Sequence, residues 1–366
     1  MKVFFRTDAS RLIGTGHVMR CLTLAEYLKR RGVEVGFVCR ELPGHLCELI
    51  EGRGLALWRL PGPDQVSSDV DPNDYRRWLA VKWQQDAEET GAALKRSGVV
   101  CDWLVVDHYG LDARWQQAVR QRANRIMVID DLANRLHDCD LLLDQNFYLD
   151  FEHRYDKLTP KRCRRLLGPA YALLRPEFLE VQRTLRPRDG RIKRVLVFYG
   201  GCDVTGETLK TLRGVMRLRP RGVDFDFVVG TVNEKAVEIR RLASEWSGVA
   251  CHTNVSRMAE MMGRADLAFG GGGTTTWERC FLGLPTATVE VAENQRVMLH
   301  ALLQREAVWH LGRHDEVSDD TIFRTLQRVL GAPDDVRTVG QNAMRIMAER
   351  SVGDECPVAE AMWQLS

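Results

Sequence analysis

The sequence predicts two α/β units, each built on a mainly parallel sheet. Three observations carry that reading. Short apolar strands alternate with helical patterns along the chain, two of those strands run straight into glycine-rich loops, and a charged stretch from Arg183 to Lys193, with Pro187 and Gly190, separates the two series. A length of 366 residues fits two domains. The expected division is an N-terminal Rossmann-like domain over 1–182, a linker over 183–193 and a C-terminal Rossmann-like domain over 194–366.

The first unit opens with Lys2-Val3-Phe4-Phe5-Arg6, an apolar strand. A loop with Gly14 and Gly16 follows. From Val18 to Arg31, Met19, Leu22, Ala25 and Leu28 recur at helical spacing, and Gly32 stops the helix. Val35 to Cys39 is the second strand. Trp103 to Asp107 and Ile126 to Asp130 are apolar runs ending in Asp, as strands buried on both faces read. Helical patterns lie around Tyr75 to Lys95 and Asp112 to Arg122. The second unit opens with Arg194 to Phe198, running into Tyr199-Gly200-Gly201. A helix over Glu207 to Leu218, a strand over Phe225 to Gly230 and a helix over Glu234 to Trp246 follow. Ala265 to Phe269 then enters Gly270-Gly271-Gly272-Gly273. Ligands of such sheets bind beyond the carboxyl ends of the strands, so the main site is expected in a cleft between two facing units.

Composition narrows the function classes. Lys plus Arg is 52 and Asp plus Glu is 50, a net charge of +2, which lacks the basic excess of a dedicated nucleic-acid binder. With 45% hydrophobic and 28% charged residues, the chain is neither disordered nor fibrous. No apolar run reaches the roughly 18–20 residues of a membrane helix. The N-terminus lacks the apolar stretch of a signal peptide, so the cytoplasm is the expected compartment. The ten cysteines show no C-x-x-C spacing, which argues against a cysteine zinc site or a disulfide scaffold.

Five segments carry candidate chemistry. Asp8-Ala9-Ser10-Arg11-Leu12-Ile13-Gly14-Thr15-Gly16-His17 joins the first strand to the first helix. Gly14 and Gly16 let the backbone approach a ligand, and His17 falls near the helix N-terminus, where the dipole disfavours imidazolium. A neutral histidine there suits a general base, with Asp8 to orient it; a structural turn with a capping histidine is the alternative. Gly270-Gly271-Gly272-Gly273-Thr274-Thr275-Thr276-Trp277-Glu278 offers N–H groups and hydroxyls to an anion at a helix start. Glu278 is placed to accept hydrogen bonds from a ribose diol, or else it only stabilises the helix dipole. No Gly-Lys-Ser/Thr follows, so it is not a P-loop.

Tyr199-Gly200-Gly201-Cys202-Asp203 is a second strand-end loop that either contacts phosphate or simply turns. Asp107-His108-Tyr109-Gly110 ends a strand where a substrate would lie, or turns there with Asp107 as a cap. Ala292-Glu293-Asn294-Gln295 presents carboxamides suited to sugar hydroxyl or acetamido groups, or starts a solvated helix. Asp130-Asp131 invites a metal reading, but a turn explains it better and no metal is assigned.

Taken together, Gly14-Thr15-Gly16-His17-Val18-Met19-Arg20-Cys21, Asp107-His108-Tyr109-Gly110, Gly271 to Glu278 and Ala292 to Gln295 resemble the nucleotide-sugar hydrolase family of pseudaminic acid biosynthesis. The resemblance spans residues 3 to about 300. It implies the GT-B fold shared with the N-acetylglucosaminyltransferase MurG, in which closing helices often return to the first domain. It implies hydrolysis of UDP-2,4-diacetamido-2,4,6-trideoxy-β-L-altropyranose to UDP and free sugar, without cofactor or metal. His17 would deprotonate water for inverting attack at the anomeric carbon. Asp8, Gly14, Gly16, Tyr109, Asn294 and Gln295 would meet the sugar. Gly200, Gly201, Gly272, Gly273, Thr274, Thr275, Thr276 and Glu278 would hold UDP. Arg11-Leu12-Ile13 and Cys202 receive no role, and Pro61 to Lys95 reads as a local elaboration. The alternatives are a UDP-sugar glycosyltransferase on the same fold, a non-catalytic nucleotide-sugar-binding module and a UDP-sugar epimerase.

Overall fold

The computed structural model describes residues 1–63, 74–96, 98, 100–230, 232–253, 255–348 and 356–366. Residues 64–73, within the Pro61–Lys95 elaboration, lie outside that set. The chain divides into two compact units: Met1–Asn146, Asp150–Leu173 and Gly353–Ser366 form the first, Phe147–Leu149 and Leu174–Val352 the second.

The first unit carries β1 (Lys2–Thr7), β2 (Glu34–Arg40), β3 (Ala56–Leu60), β4 (Cys101–Asp107), β5 (Ala123–Ile129), β6 (Leu141–Asp144) and β7 (Arg164–Leu167). They form one sheet in the order β3-β2-β1-β4-β5-β6-β7, with every pairing parallel. The connections run through α1 (Gly16–Arg30), α2 (Cys47–Gly52), α3 (Trp83–Arg96) and α4 (Ala113–Val119). The central strand is apolar because it is covered on both faces. Phe5 stands level with Phe37 and Val105, and its ring stacks on Phe37 at 4.9 Å. Burying each phenyl ring contributes about 1.5–3 kcal/mol.

The second unit carries β8 (Arg194–Phe198), β9 (Asp224–Val229), β10 (Val249–Thr253), β11 (Leu267–Gly271), β12 (Thr286–Glu290) and β13 (Trp309–Arg313). Their order is β10-β9-β8-β11-β12-β13, again all parallel. Its helices are α5 (Pro176–Arg183), α6 (Glu207–Leu218), α7 (Ala236–Ala243), α8 (Met258–Arg264), α9 (Thr275–Phe281), α10 (Arg296–Gln304), α11 (Asp319–Leu330) and α12 (Pro333–Ile346). The last helix, α13 (Pro357–Leu365), belongs to the first unit, where Trp103 Nε1 donates to Ser366 Oγ at 3.0 Å.

In both units the strand order reverses between two central neighbours, β1 and β4 in the first, β8 and β11 in the second. Connections leave that point in opposite directions and open a crevice at the carboxyl ends. His17 follows β1, Asp107 ends β4 and Tyr109 follows it. Gly200, Gly201, Gly272 and Gly273 follow β8 and β11.

Three expectations need correction. The division falls at 173/174 rather than at 183–193, because α5 packs on α8 with Phe178 buried in that core. The supposed linker is pinned: Arg188 donates to the carbonyls of Met262, Ala265, Leu282 and Gly283 at 2.5–3.2 Å. The Tyr75–Lys95 helix is two pieces, a 3-10 turn over Tyr75–Leu79 and then α3, because the chain turns left-handed at Ala80 (φ 61°). Strands β3, β6, β7, β10 and β13 were not anticipated. β6 and β7 are four residues each, and β10 and β13 are half-exposed and lack a continuous apolar run.

Candidate active site

In the first unit, β1 ends at Thr7 and the loop folds back on itself before α1. Gly14 N–H donates to Ser10 O at 2.8 Å and Ile13 N–H to Ser10 Oγ at 2.9 Å. That hairpin needs a left-handed residue, and Gly14 supplies it at φ 78° with open space where a Cβ would sit. Helix α1 starts at Gly16 with no side-chain cap, and His17 is its second residue.

The His17 ring meets a strand-end carboxylate: Nδ1 lies 2.6 Å from Asp107 Oδ1. Arg20, one turn along α1, binds the same carboxylate through both Nε and Nη2 at 2.7 Å. Its third nitrogen, Nη1, reaches Asp131 Oδ2 at 2.7 Å, and Tyr109 Oη donates to that same oxygen at 2.5 Å. The Tyr109 ring packs edge-on to His17 at 4.5 Å. Burial alone would raise the Asp107 pKa. The Arg20 guanidinium, then His17, outweigh burial and hold the carboxyl well below the usual carboxylate range. Burial, reinforced by Asp131, pushes the Tyr109 hydroxyl well up. The ionised Asp107 carboxylate takes the hydrogen bond of His17 Nδ1 and leaves Nε2 on the far side of the ring, the geometry of an oriented general base.

Asp107, not Asp8, orients the histidine. Asp8 Oδ1 accepts from Arg6 Nη1 at 2.6 Å and from the Arg40 amide at 2.7 Å. Its other oxygen faces His108 Nε2 at 3.6 Å. Arg6 and Arg40 share Asp86 on α3, at 2.5 and 2.7 Å. This fully buried ion network braces the carboxyl ends of β1 and β2, so Asp8 supports the site from beneath rather than meeting a sugar. Of the neighbouring acids, Asp130 makes the expected turn, accepting from the Leu132 and Ala133 amides, while Asp131 joins the His17 assembly through Arg20 and Tyr109.

In the second unit, the β11–α9 loop is clasped by Gln295. Its Oε1 accepts from Gly272 N–H at 3.1 Å and Val291 N–H at 3.2 Å. The carboxamide oxygen expected to meet a sugar is therefore spent on shaping the glycine loop. A Cβ at Gly272 would lie 2.9 Å from Leu299 Cδ1 and 3.1 Å from Gln295 Cβ, so only glycine lets the loop come this close. Gly273 is exposed, with open space around its Cα. Thr274 and Thr275 are half-buried at the loop mouth. Thr276 turns inward instead, and its Oγ1 accepts from Arg279 Nη2 at 3.1 Å. Arg279 also donates to Gly271 O at 2.6 Å, and burial lowers its pKa to about 10. Glu278 is 7% exposed, with Oε1 bound to Arg175 Nε at 2.9 Å and Oε2 buried without a hydrogen-bond partner among the described residues. That second oxygen keeps its acceptor capacity unspent.

At the other glycine loop a carboxylate of the chain already caps the helix that follows. Asp203, at φ 45°, accepts from the Glu207 and Thr208 amides at 2.9 and 3.0 Å, so a carboxylate occupies the start of α6. Gly201 is pressed against Gly230, where a Cβ would come within 1.8 Å of Gly201 O. Gly200, at φ 98°, has open space where a Cβ would stand. Asn294 is half-buried beside the Gln295 clasp.

Sequence reasoning missed Arg20, Asp131 and Arg175, and missed Asp107 as the partner of His17. A signal existed for the first. His17 and Arg20 are three apart on one helix, hence on one face, directed at strands that end in Asp. Arg175 had none, because it meets Glu278 across 103 residues of sequence.

No family model matches the chain. Among curated proteins, 319 residues align at 23% identity with an uncharacterized protein of Methanocaldococcus jannaschii, covering 85% of this chain. The chain spans only 60% of that relative's length. A stretch of 269 residues aligns at 24% identity with the UDP-2,4-diacetamido-2,4,6-trideoxy-beta-L-altropyranose hydrolase of Campylobacter jejuni, covering 73% of this chain and 83% of that one. Among solved structures, Acinetobacter baumannii MurG superposes with a TM-score of 0.62 at 12% identity over 99% of both chains. Phytolacca americana UGT2, complexed with UDP-2fluoro-glucose and pterostilbene, gives 0.68 at 13% over 100% of this chain and 98% of that one. The chain thus has the GT-B fold of two parallel-sheet α/β domains, and it is a distant homologue of a nucleotide-sugar hydrolase.

Proposed function

We propose that this protein hydrolyses a UDP-linked 2,4-diacetamido-2,4,6-trideoxyhexose, with UDP-2,4-diacetamido-2,4,6-trideoxy-β-L-altropyranose as the leading substrate, as a cytoplasmic step of pseudaminic acid biosynthesis. The observation that carries the reading is the His17–Asp107 pair, buried, short and locked by Arg20. The named relative from Campylobacter jejuni supports the choice of substrate.

His17 Nε2 takes a proton from water, and the hydroxide oxygen bonds to the anomeric carbon. The bond from that carbon to the diphosphate oxygen breaks, and the electron pair leaves with UDP. The configuration inverts. Asp107 stays ionised and steadies the imidazolium. In the second unit, the exposed turn at Gly273 with Thr274 and Thr275 meets the diphosphate, and Glu278 Oε2 accepts from a ribose hydroxyl. Asn294 helps set the sugar, while Tyr109, buried with its hydroxyl on Asp131, braces the His17 assembly. A pyrophosphate leaving group is good enough that no general acid is required.

The second reading is a UDP-sugar glycosyltransferase, favoured by solved neighbours such as MurG. Hydrolysis in ¹⁸O-labelled water decides the chemistry. Label in the free sugar supports attack at carbon, label in UDP means attack at phosphorus, and no turnover without an added acceptor favours the transferase.

A further inference from the structure

We infer that Trp78, backed by Tyr75, walls off His17 so that water is the only nucleophile small enough to reach the base, which makes Trp78 the residue that selects hydrolysis over transfer. The inference rests on the hydrolase reading and adds to it the reason an acceptor is refused.

The wall is built from one short segment. Trp78 and Tyr75 belong to the 3-10 turn Tyr75–Leu79, ahead of α3. The Trp78 ring stands edge-on to His17 at 6.1 Å and stacks on Tyr109 at 5.4 Å. Tyr75 closes the group, edge-on to Trp78 at 4.8 Å and to Tyr109 at 5.3 Å. Ile13 and Leu42 are buried in the same cluster, and Leu12 and Leu132 pack against it. Trp78 is 8% exposed, so it has almost no free face on which a sugar could stack.

The turn is fastened at both ends. Leu79 is buried in the core with Ala87 and Leu94 of α3. The Tyr75 carbonyl lies 2.9 Å from where a Cβ on Gly110 would stand, so glycine after Tyr109 lets the turn seat against the end of β4. A transferase base has to touch a hydroxyl that carries carbon behind it, and each such carbon needs about 3.5–4 Å of clearance from its neighbours. The Tyr109 ring at 4.5 Å and the Trp78 ring at 6.1 Å crowd the imidazole, and on this inference that crowding refuses a carbon-bearing acceptor while admitting water.

The test is competition between water and methanol. UDP-2,4-diacetamido-2,4,6-trideoxy-β-L-altropyranose is incubated with enzyme in aqueous methanol, and methyl glycoside and free sugar are separated and counted by mass spectrometry. In methanolysis the methanol oxygen bonds to the anomeric carbon, UDP leaves with the electron pair, and the hydroxyl proton passes to His17 and on to solvent. Wild type is expected to give free sugar almost alone. Trp78→Ala is expected to raise the ratio of methyl glycoside to free sugar about tenfold, with a smaller rise for Tyr75→Ala. An unchanged ratio in both variants while UDP is still released overturns the inference, and so does free methanolysis by wild type. A wild type that releases no UDP at all overturns the hydrolase reading instead. If Trp78→Ala fails to fold by circular dichroism, Trp78→Leu and Gly110→Ala, which displaces the turn, are read by the same ratio.

Discussion

Asp107 holds Nδ1 of His17 at 2.6 Å while Arg20 grips both oxygens of the same carboxylate. The carboxylate can therefore neither rotate away from the ring nor take up a proton near neutrality. Asp107→Asn keeps the shape but presents the wrong partner to Nδ1–H. It is expected to lower kcat by about 10³–10⁴-fold. The dissociation constant for UDP, read by calorimetry, is expected to stay within about twofold, because the pair lies in the unit that does not carry the glycine clasp.

Arg20 has a separable effect on pH dependence. Burial raises the Asp107 pKa and Arg20 is the largest influence opposing it. Arg20→Gln removes that opposition, so Asp107 takes a proton at higher pH and His17 loses its anchor. The acid limb of kcat is expected to shift to higher pH than in wild type. An acid limb that does not move would leave Arg20 with a purely structural role.

Glu278 has one oxygen on Arg175 and one buried without a hydrogen-bond partner among the described residues. Glu278→Gln is expected to weaken UDP binding by about 1.5–3 kcal/mol, the range for a hydrogen bond to a charged group. Deoxy analogues of UDP locate the contact. If the ribose hydroxyls meet Glu278, wild type should lose affinity for the 2′-deoxy or 3′-deoxy form, and the variant should no longer tell it from UDP.

His108 is fully buried, and burial lowers its pKa from 6.5 to about 4 despite the facing Asp8. The unfolded chain therefore binds the proton first. Stability is whole above pH 6.5 and falls as the pH drops from 6.5 toward 4, by about 3 kcal/mol in all. Urea midpoints across that window should show the decline in wild type and a flatter profile in His108→Gln. Below it, Asp86 continues the loss, because its native pKa of about 2 lies under the ordinary 3.8.

Much of the fold is written locally in the chain. The apolar runs at Val3, Trp103 and Val195, each feeding a loop, fix the central strands because burial on both faces demands them. The same logic cannot find β6, four residues long, or β13, half-exposed at an edge. His17 was legible because a glycine hairpin delivers it to the start of α1. Its partner was not, since Asp8 and Asp107 both end strands and only the three-dimensional register sends one to the histidine and the other to Arg6 and Arg40. Gln295 shows the same limit: a carboxamide suited to a sugar is equally suited to two backbone amides, and tertiary packing gave it to Gly272 and Val291.

The most direct test of a water-activating His17 is UDP release from UDP-2,4-diacetamido-2,4,6-trideoxy-β-L-altropyranose, without acceptor, by wild type and His17→Ala side by side. Stoichiometric UDP and free sugar from wild type, with turnover abolished and UDP affinity kept in His17→Ala, is the predicted result. Equal release by both proteins, or none by wild type that nonetheless binds UDP, would contradict it.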